Sequence, residues 1–179
     1  MSEYPSGSVE DREMLAKMPK EKLLDFFFLQ IRNLWRVDGL YFLGIEKKFG
    51  TEAATEIDAS VWETMAQIEA RSLQKMFNVG DNPNVSTIIE LLHKSSWSLD
   101  QPFKTIEVSS ERAVLSINMC RTQETRLGKG LSEFPCKLVR FGYLKNFAKT
   151  LNPKVEVNCL ICPPDKHPKE TWCQWEFRM

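Results

Sequence analysis

Histidine is nearly missing from this chain. Only His93 and His167 occur in 179 residues, and no Ser-His-Asp order can be read around either. Charge bias is missing too: 24 Lys and Arg face 24 Asp and Glu, a formal net charge of zero. Nucleic-acid binding normally calls for a basic patch or stripe, so no nucleic-acid partner is expected. The most apolar stretch, LLDFFFLQI, is too short and too interrupted to cross a bilayer, so no membrane span is expected. The N-terminus, MSEYPSGSVEDREM, has no apolar run of the kind that marks a secretory signal. A cytoplasmic protein is therefore expected, and reducing conditions there argue against structural disulfides. Glycine is sparse, and GKG at 128–130 lacks both the spacing and the Ser/Thr of a phosphate loop. The helical E-x-x-H motif occurs once, from Glu90 to His93, whereas a di-iron centre needs two copies.

What is present reads as helices first and strands later. Residues 1–19 read as a flexible lead-in ending at Pro19. Leu24, Phe28, Ile31 and Trp35 then form an apolar stripe at helical spacing, with a kink or break expected at RVDG, 36–39. Gly50 stops this helical region. Thr51 is expected to cap the next helix, with Val61, Met65 and Ile68 on one face, ending at Asn78 and Gly80. After Pro83, NVSTIIELLHKSSWSL reads as a further helix, with Ile88, Leu91, Leu92, Ser95 and Leu99 on one face. From Pro102 the period becomes two, with Ile106 and Val108, then Ala113, Leu115, Ile117 and Met119, around a turn at SSER. A loop or short helix covers RTQETRLGKGLSEFP, a helix runs from CKLVRF to Asn152-Pro153, and two strands close the chain. The expected fold is α+β: N-terminal helices packed on an antiparallel sheet, with a C-terminal helix and a cysteine-rich β-hairpin. The expected organisation is one compact unit with a lead-in at 1–19, a helical region at 20–101 and an α+β lobe at 102–179 that binds metal and ligand.

Four of the five cysteines fall late in the chain, three of them in CLICPPDKHPKETWC. Cys159-x2-Cys162 has the spacing that lets two sulfurs reach one ion. Cys173 lies across the hairpin, and Cys136 opens the preceding helix, where the helix dipole favours a thiolate. Together they make a candidate four-cysteine site, which His167 could enter in place of one cysteine. Buried core sulfurs and a redox pair remain open readings of the same spacing. A thiolate set does not by itself separate zinc from iron.

Cys120 lies outside that quartet, followed by Arg121, Gln123 and Arg126. Positive neighbours lower a thiol's pKa, which would make Cys120 a nucleophile, and a guanidinium fork suits a carboxylate ligand. The plainer reading is a strand-end cysteine beside solvated arginines. Arg32, Arg36, Asp38, Glu46, Asp58 and Glu69 lie in otherwise apolar helical stretches. They read either as interhelical salt bridges or as the polar wall of a ligand cleft.

KVEVNCLICPPDKHPKETWCQWEF resembles the ending of the 4-vinyl reductase-type domain, a small-molecule-binding module, over roughly residues 102–179. Cys136, Cys162 and Cys173 match the positions of that family's zinc-binding cysteines. Cys159 falls where many members carry glutamate, and the turn before Cys173 is longer than usual. NLWRVDGLYFLGIEKKFGTEAATEIDASVWETMAQIEAR and CRTQETRLGKGLSEFPCK together resemble the proteins grouped with L-2-amino-thiazoline-4-carboxylic acid hydrolase. The resemblances imply a structural zinc ion held by Cys136, Cys159, Cys162 and Cys173, with a small molecule bound between helices and sheet by residues such as Arg121, Gln123 and Arg126. The alternative they imply is a hydrolase of a small cyclic carboxylate, acting through Cys120 with His93 as base, or through metal-activated water. A homodimer through the apolar helices is a further reading.

Overall fold

The structure, a computed structural model, describes residues 7–179. Seven helices and four strands occur among them. The lead-in expected at 1–19 is corrected in part: residues 1–6 lie outside the described residues, but α1 (Val9–Ala16) is a helix. Its start is set by a capping box, in which the Ser8 side chain accepts from the Asp11 backbone while the Asp11 side chain accepts from Ser8 N.

α2 (Lys20–Phe49) is one unbroken helix of 30 residues. No break occurs at 36–39: a single glycine in a helix interior costs only about 1 kcal/mol, and Trp35, Asp38 and Phe42 hold that stretch against the body. Gly50 (φ 89°) ends α2 and also stands at the N-cap of α3 (Thr51–Met76). Thr51 is therefore the first helical residue rather than the cap, and its hydroxyl donates to Glu46 Oε1 (2.9 Å).

α4 (Val85–His93) is capped by Asn84, and the short α5 (Ser96–Asp100) by Ser95. The chain then enters the sheet with β1 (Phe103–Val108) and β2 (Arg112–Met119), joined at the SSER turn. α6 (Arg121–Gly128) fills the stretch read as a loop or short helix. α7 (Lys137–Leu151), β3 (Glu156–Ile161) and β4 (Cys173–Arg178) complete the fold.

The sheet has order β1-β2-β4-β3 and is antiparallel throughout. Its interior face carries Ala113, Leu115 and Ile117 from β2 and Cys173, Trp175 and Phe177 from β4, as the period-two pattern predicts; Met119 is instead exposed. α7 packs on this sheet and α3 packs on α7. The close approach of the two helices has a visible cause. α3 buries Ala54, Ala59, Ala66 and Ala70, and on α7 a Cβ added at Gly142 would stand 2.5 Å from Glu63 Oε1. The α+β architecture is thus the one the sequence implies, with a helical layer over one face of the sheet.

Candidate functional site

A small cavity of about 40 Å³ lies where α2, α3, α5, β2, α6, α7 and β4 meet. α2 contributes Trp35 and Asp38, three residues apart, and α3 contributes Asp58 and Trp62, four apart; both spacings place the pair on one helix face. Trp97 and Gln101 come from α5 and its C-cap, Ile117 from β2, Cys120 and Gln123 from the start of α6, and Cys136 and Arg140 from the start of α7. Cys173 of β4 closes the wall. Trp35 and Trp62 stack at 4.6 Å. The Trp35 indole N–H donates to Ser96 O (3.1 Å), and that of Trp62 to Asp38 Oδ1 (3.0 Å), so both rings are fixed.

Arg140 is the centre of the arrangement. It lies on the buried stripe of α7 with Tyr143, Leu144 and Phe147, and its residue is only 8% exposed. Its guanidinium carbon sits 4.5 Å from the Trp97 ring centroid, 5.2 Å from Tyr143, 5.8 Å from Trp35 and 6.0 Å from Trp62. Cation–π attraction is strongest where water is excluded, as here. Yet its Nη1 has no hydrogen-bond acceptor, and Oε1 of Gln101, a residue 2% exposed, has no donor. Buried polar groups are satisfied in the large majority of cases, and leaving one unpaired costs about 1–3 kcal/mol.

The two carboxylates nearby titrate abnormally. Burial, and then repulsion from Asp38, pushes Asp58 up to about 7, against the pull of Arg140 and Trp62. Burial also raises Asp38, opposed by the Trp62 hydrogen bond and Arg140. Near neutral pH Asp58 therefore carries a proton part of the time, and the guanidinium is not fully neutralised by its neighbours.

The cysteines form a string at one end of the cavity. Cys136 and Cys162 sulfurs stand 3.5 Å apart, and Cys162 is also hydrogen-bonded to Cys173. These contacts hold the Cys162 proton and raise its pKa. The turn after Cys162 is docked on the start of α7: Lys137 N donates to Pro163 O (2.9 Å), and Lys137 Nζ pairs with Asp165 (2.6 Å). Cys159 faces a different space. It is half-buried on β3 opposite Trp175, and it lines an open groove of about 930 Å³ with Lys137, Phe141 and Val157. The His167 ring lies 4.7 Å from that of Trp172, tilted by 38°, and approaches Glu133 (3.6 Å). Among the described residues, no three or more His, Cys, Asp or Glu side chains are grouped so as to hold a metal ion. The Cys136–Cys162 separation is close to the roughly 3.8 Å between two thiolates on a tetrahedral zinc. Three soft donors in sequence contact suit such an ion chemically; the grouping around it is incomplete.

The other sequence candidates scatter. Cys120 does line the cavity, but burial and then the neighbouring Cys173 and Cys136 push its thiol up to about 12, the reverse of the effect expected from basic neighbours. Arg126 places each of its three guanidinium nitrogens on a protein acceptor, two on Glu46 (both 2.9 Å) and one on Ser132 O (3.0 Å). Gln123 clamps the Phe134 backbone through both ends of its amide (2.8 Å each) and reaches Cys136 Sγ at 3.7 Å. Arg121 is exposed, and His93 is exposed at the end of α4, outside the cavity wall.

Sequence reasoning missed Arg140, Gln101 and the tryptophan box. Arg140 did leave a signal. It sits three, four and seven residues before Tyr143, Leu144 and Phe147, so a charge occupies the apolar stripe of its own helix. Of the polar residues in α2 and α3, Arg32 pairs with Asp100 (3.0 Å) and Glu46 with Arg126, as the salt-bridge reading expects, whereas Asp38 and Asp58 line the small cavity.

A family of unknown function, DUF6125, matches residues 16–179, and the chain belongs to it. No curated protein matches the chain.

Proposed function

We propose that the protein binds a small carboxylate-bearing molecule between its helices and sheet, anchored by Arg140. One observation carries the reading: a buried guanidinium with an unpaired Nη1 and a buried amide with an unpaired Oε1 share one cavity wall. A carboxylate supplies the acceptor that Arg140 lacks, and a hydroxyl or amine beside it supplies the donor that Gln101 lacks. The space of about 40 Å³ is enough for a water or for one carboxylate group. The remainder of a ligand must therefore displace wall side chains as it enters. The open groove beside Cys159 is far larger, but none of the buried, unpartnered polar atoms lies in its wall.

Calorimetric titration with acetate, propionate and benzoate tests the reading on wild-type protein and on Arg140→Lys and Gln101→Leu variants. Arg140→Lys keeps the charge and loses the planar fork, so affinity should fall by tenfold or more. Absence of saturable binding to all three acids, or equal affinity in Arg140→Lys, overturns it.

The sulfur string is the second part of the proposal. Cys136, Cys162 and Cys173 would hold a thiophilic ion; Cys159, the fourth donor suggested by the C-x2-C spacing, lines the neighbouring groove and would have to turn toward them to complete the set. A zinc ion held by all four would have no open position for chemistry and would act on folding instead. Hydrolysis through a Cys120 thiolate is the weaker alternative, because that thiol is held protonated by burial.

A further inference from the structure

We propose that α2 is a dimerisation helix, and that its outer seam packs against the same seam of a second copy of this chain. Every residue from Lys20 to Gln30 is exposed, and none of the first eleven residues of α2 belongs to the hydrophobic core. They are not polar. Leu23, Leu24, Phe26, Phe27, Phe28 and Leu29 are 36–48% exposed and lie on all sides of the helix. A helix that is apolar all round is built to be buried.

The exposed side of α2 also has a regular pattern. Leu23, Phe27, Gln30, Leu34, Val37 and Tyr41 alternate at spacings of four and three, and all six are exposed. That is a heptad seam, which is read by a second helix bearing the same repeat. It is distinct from the inner stripe, where Ile31, Trp35, Asp38, Phe42 and Ile45 run against the chain's own body. The one polar member, Gln30, stands at the middle of the seam. In a twofold pair it meets its own copy, and an amide can donate and accept there reciprocally.

The area approaches what a dimer needs. With about 150–200 Å² for a fully exposed large apolar side chain, the seam residues Leu23, Phe27, Leu34, Val37 and Tyr41, flanked by Leu24, Phe26 and Leu40, offer roughly 700 Å² per chain. A standard stable interface takes roughly 800 Å² from each partner, and contiguous apolar patches beyond a few hundred Å² on a free monomer are unusual. Charge favours a second copy over a lipid surface. Interfacial membrane helices carry a surplus of Lys and Arg on their polar face, whereas the start of α2 balances Lys20 and Lys22 with Glu21 and Asp25.

Light scattering after size exclusion on the full chain tests this. The chain mass is 20.8 kDa, and wild type should elute at twice that value. The double variant Phe27→Glu, Leu34→Glu should run as a monomer, its dimer weakened at least 100-fold, with circular dichroism unchanged because both side chains are outside the core. A Gln30→Cys variant should form an intermolecular disulfide under mild oxidation. The inference is overturned by a wild-type monomer at about 100 µM, a concentration at which micromolar dimers form. It is equally overturned by a dimer indifferent to the double variant, or by a monomer that pellets with phosphatidylcholine–phosphatidylglycerol vesicles.

Discussion

Replacing Asp58 with Asn should remove most of the protein's loss of stability above pH 5. Asp58 is held at about 7 in the folded chain, against an ordinary value of 3.8. Between those two values the folded protein keeps a proton that the unfolded chain has released. The folded state then binds more protons, so stability falls as pH rises through this window and levels off above about pH 7. The shift is about three pKa units, and at 1.36 kcal/mol each the ceiling is about 4 kcal/mol. Asp38 titrates beside Asp58, while Arg140 and the Trp62 indole oppose the shift. Sharing the proton with Asp38 reduces the effect attributable to Asp58 alone, so about 1–3 kcal/mol is the working expectation. Urea unfolding at about pH 5 and about pH 8 gives the measurement. Wild type should be less stable at the higher pH, and Asp58→Asn should be more stable than wild type there while differing little at the lower pH. If wild type is flat across this range, or Asp58→Asn keeps the full slope, the cavity is wet enough to solvate the carboxylate and the reasoning fails.

Other perturbations follow from the same geometry. Protein purified without a metal-affinity tag should contain about one zinc per chain by elemental analysis, and chelation should lower Tm by several degrees; a metal-free protein with Cys136 and Cys162 both freely alkylated refutes the ion. Arg126→Ala should destabilise by about 3 kcal/mol, because it leaves the Glu46 carboxylate partly buried without its bidentate partner; a denaturant midpoint within error of wild type would show that water replaces the guanidinium. Gly142→Ala forces Glu63 to move from a 2.5 Å contact, with an expected loss of about 1–2 kcal/mol; unchanged unfolding would mean the Glu63 side chain swings clear.

How much could be read in advance depended on whether the signal was local. The 3.6 period around Ile88–Leu92, the period-two runs of β2 and β4, and the Gly50 stop are local properties, and each element lies where its pattern places it. Boundaries set by packing were harder. RVDG resembles a break until Trp35, Asp38 and Phe42 are seen holding α2 against its neighbours. SVEDREM looks like a polar tail unless Ser8 and Asp11 are read as a capping box. For the site, cysteine spacing pointed to one end of the cavity because Cys136, Cys162 and Cys173 meet there. It misjudged Cys120, since sequence neighbours such as Arg121 and Arg126 point elsewhere once α6 winds. Arg140 escaped because three of its four aromatic partners come from other segments, α2, α3 and α5, and only Tyr143 is near it in sequence.

The sulfur string and the Arg140 cavity share one element, α7. Cys136 is the N-cap of α7, and Arg140 lies one turn further along the same helix. Gln123 touches Cys136, and Lys137 ties the start of α7 to Pro163 beside Cys162. Anything that moves Cys136 therefore moves Arg140 relative to Trp97 and Gln101. An ion that draws Cys136, Cys162 and Cys173 together would fix the start of α7 and hold the guanidinium in place for a carboxylate. Binding energies coupled this way are reciprocal, so the carboxylate must strengthen ion binding by the same factor. A Cys162→Ser variant, weakened at the string but untouched in the cavity wall, should bind benzoate several-fold less tightly than wild type and lose the zinc dependence of that affinity. Equal benzoate affinity with and without the ion, in wild type, would mean that α7 is already rigid and that the two sites work independently.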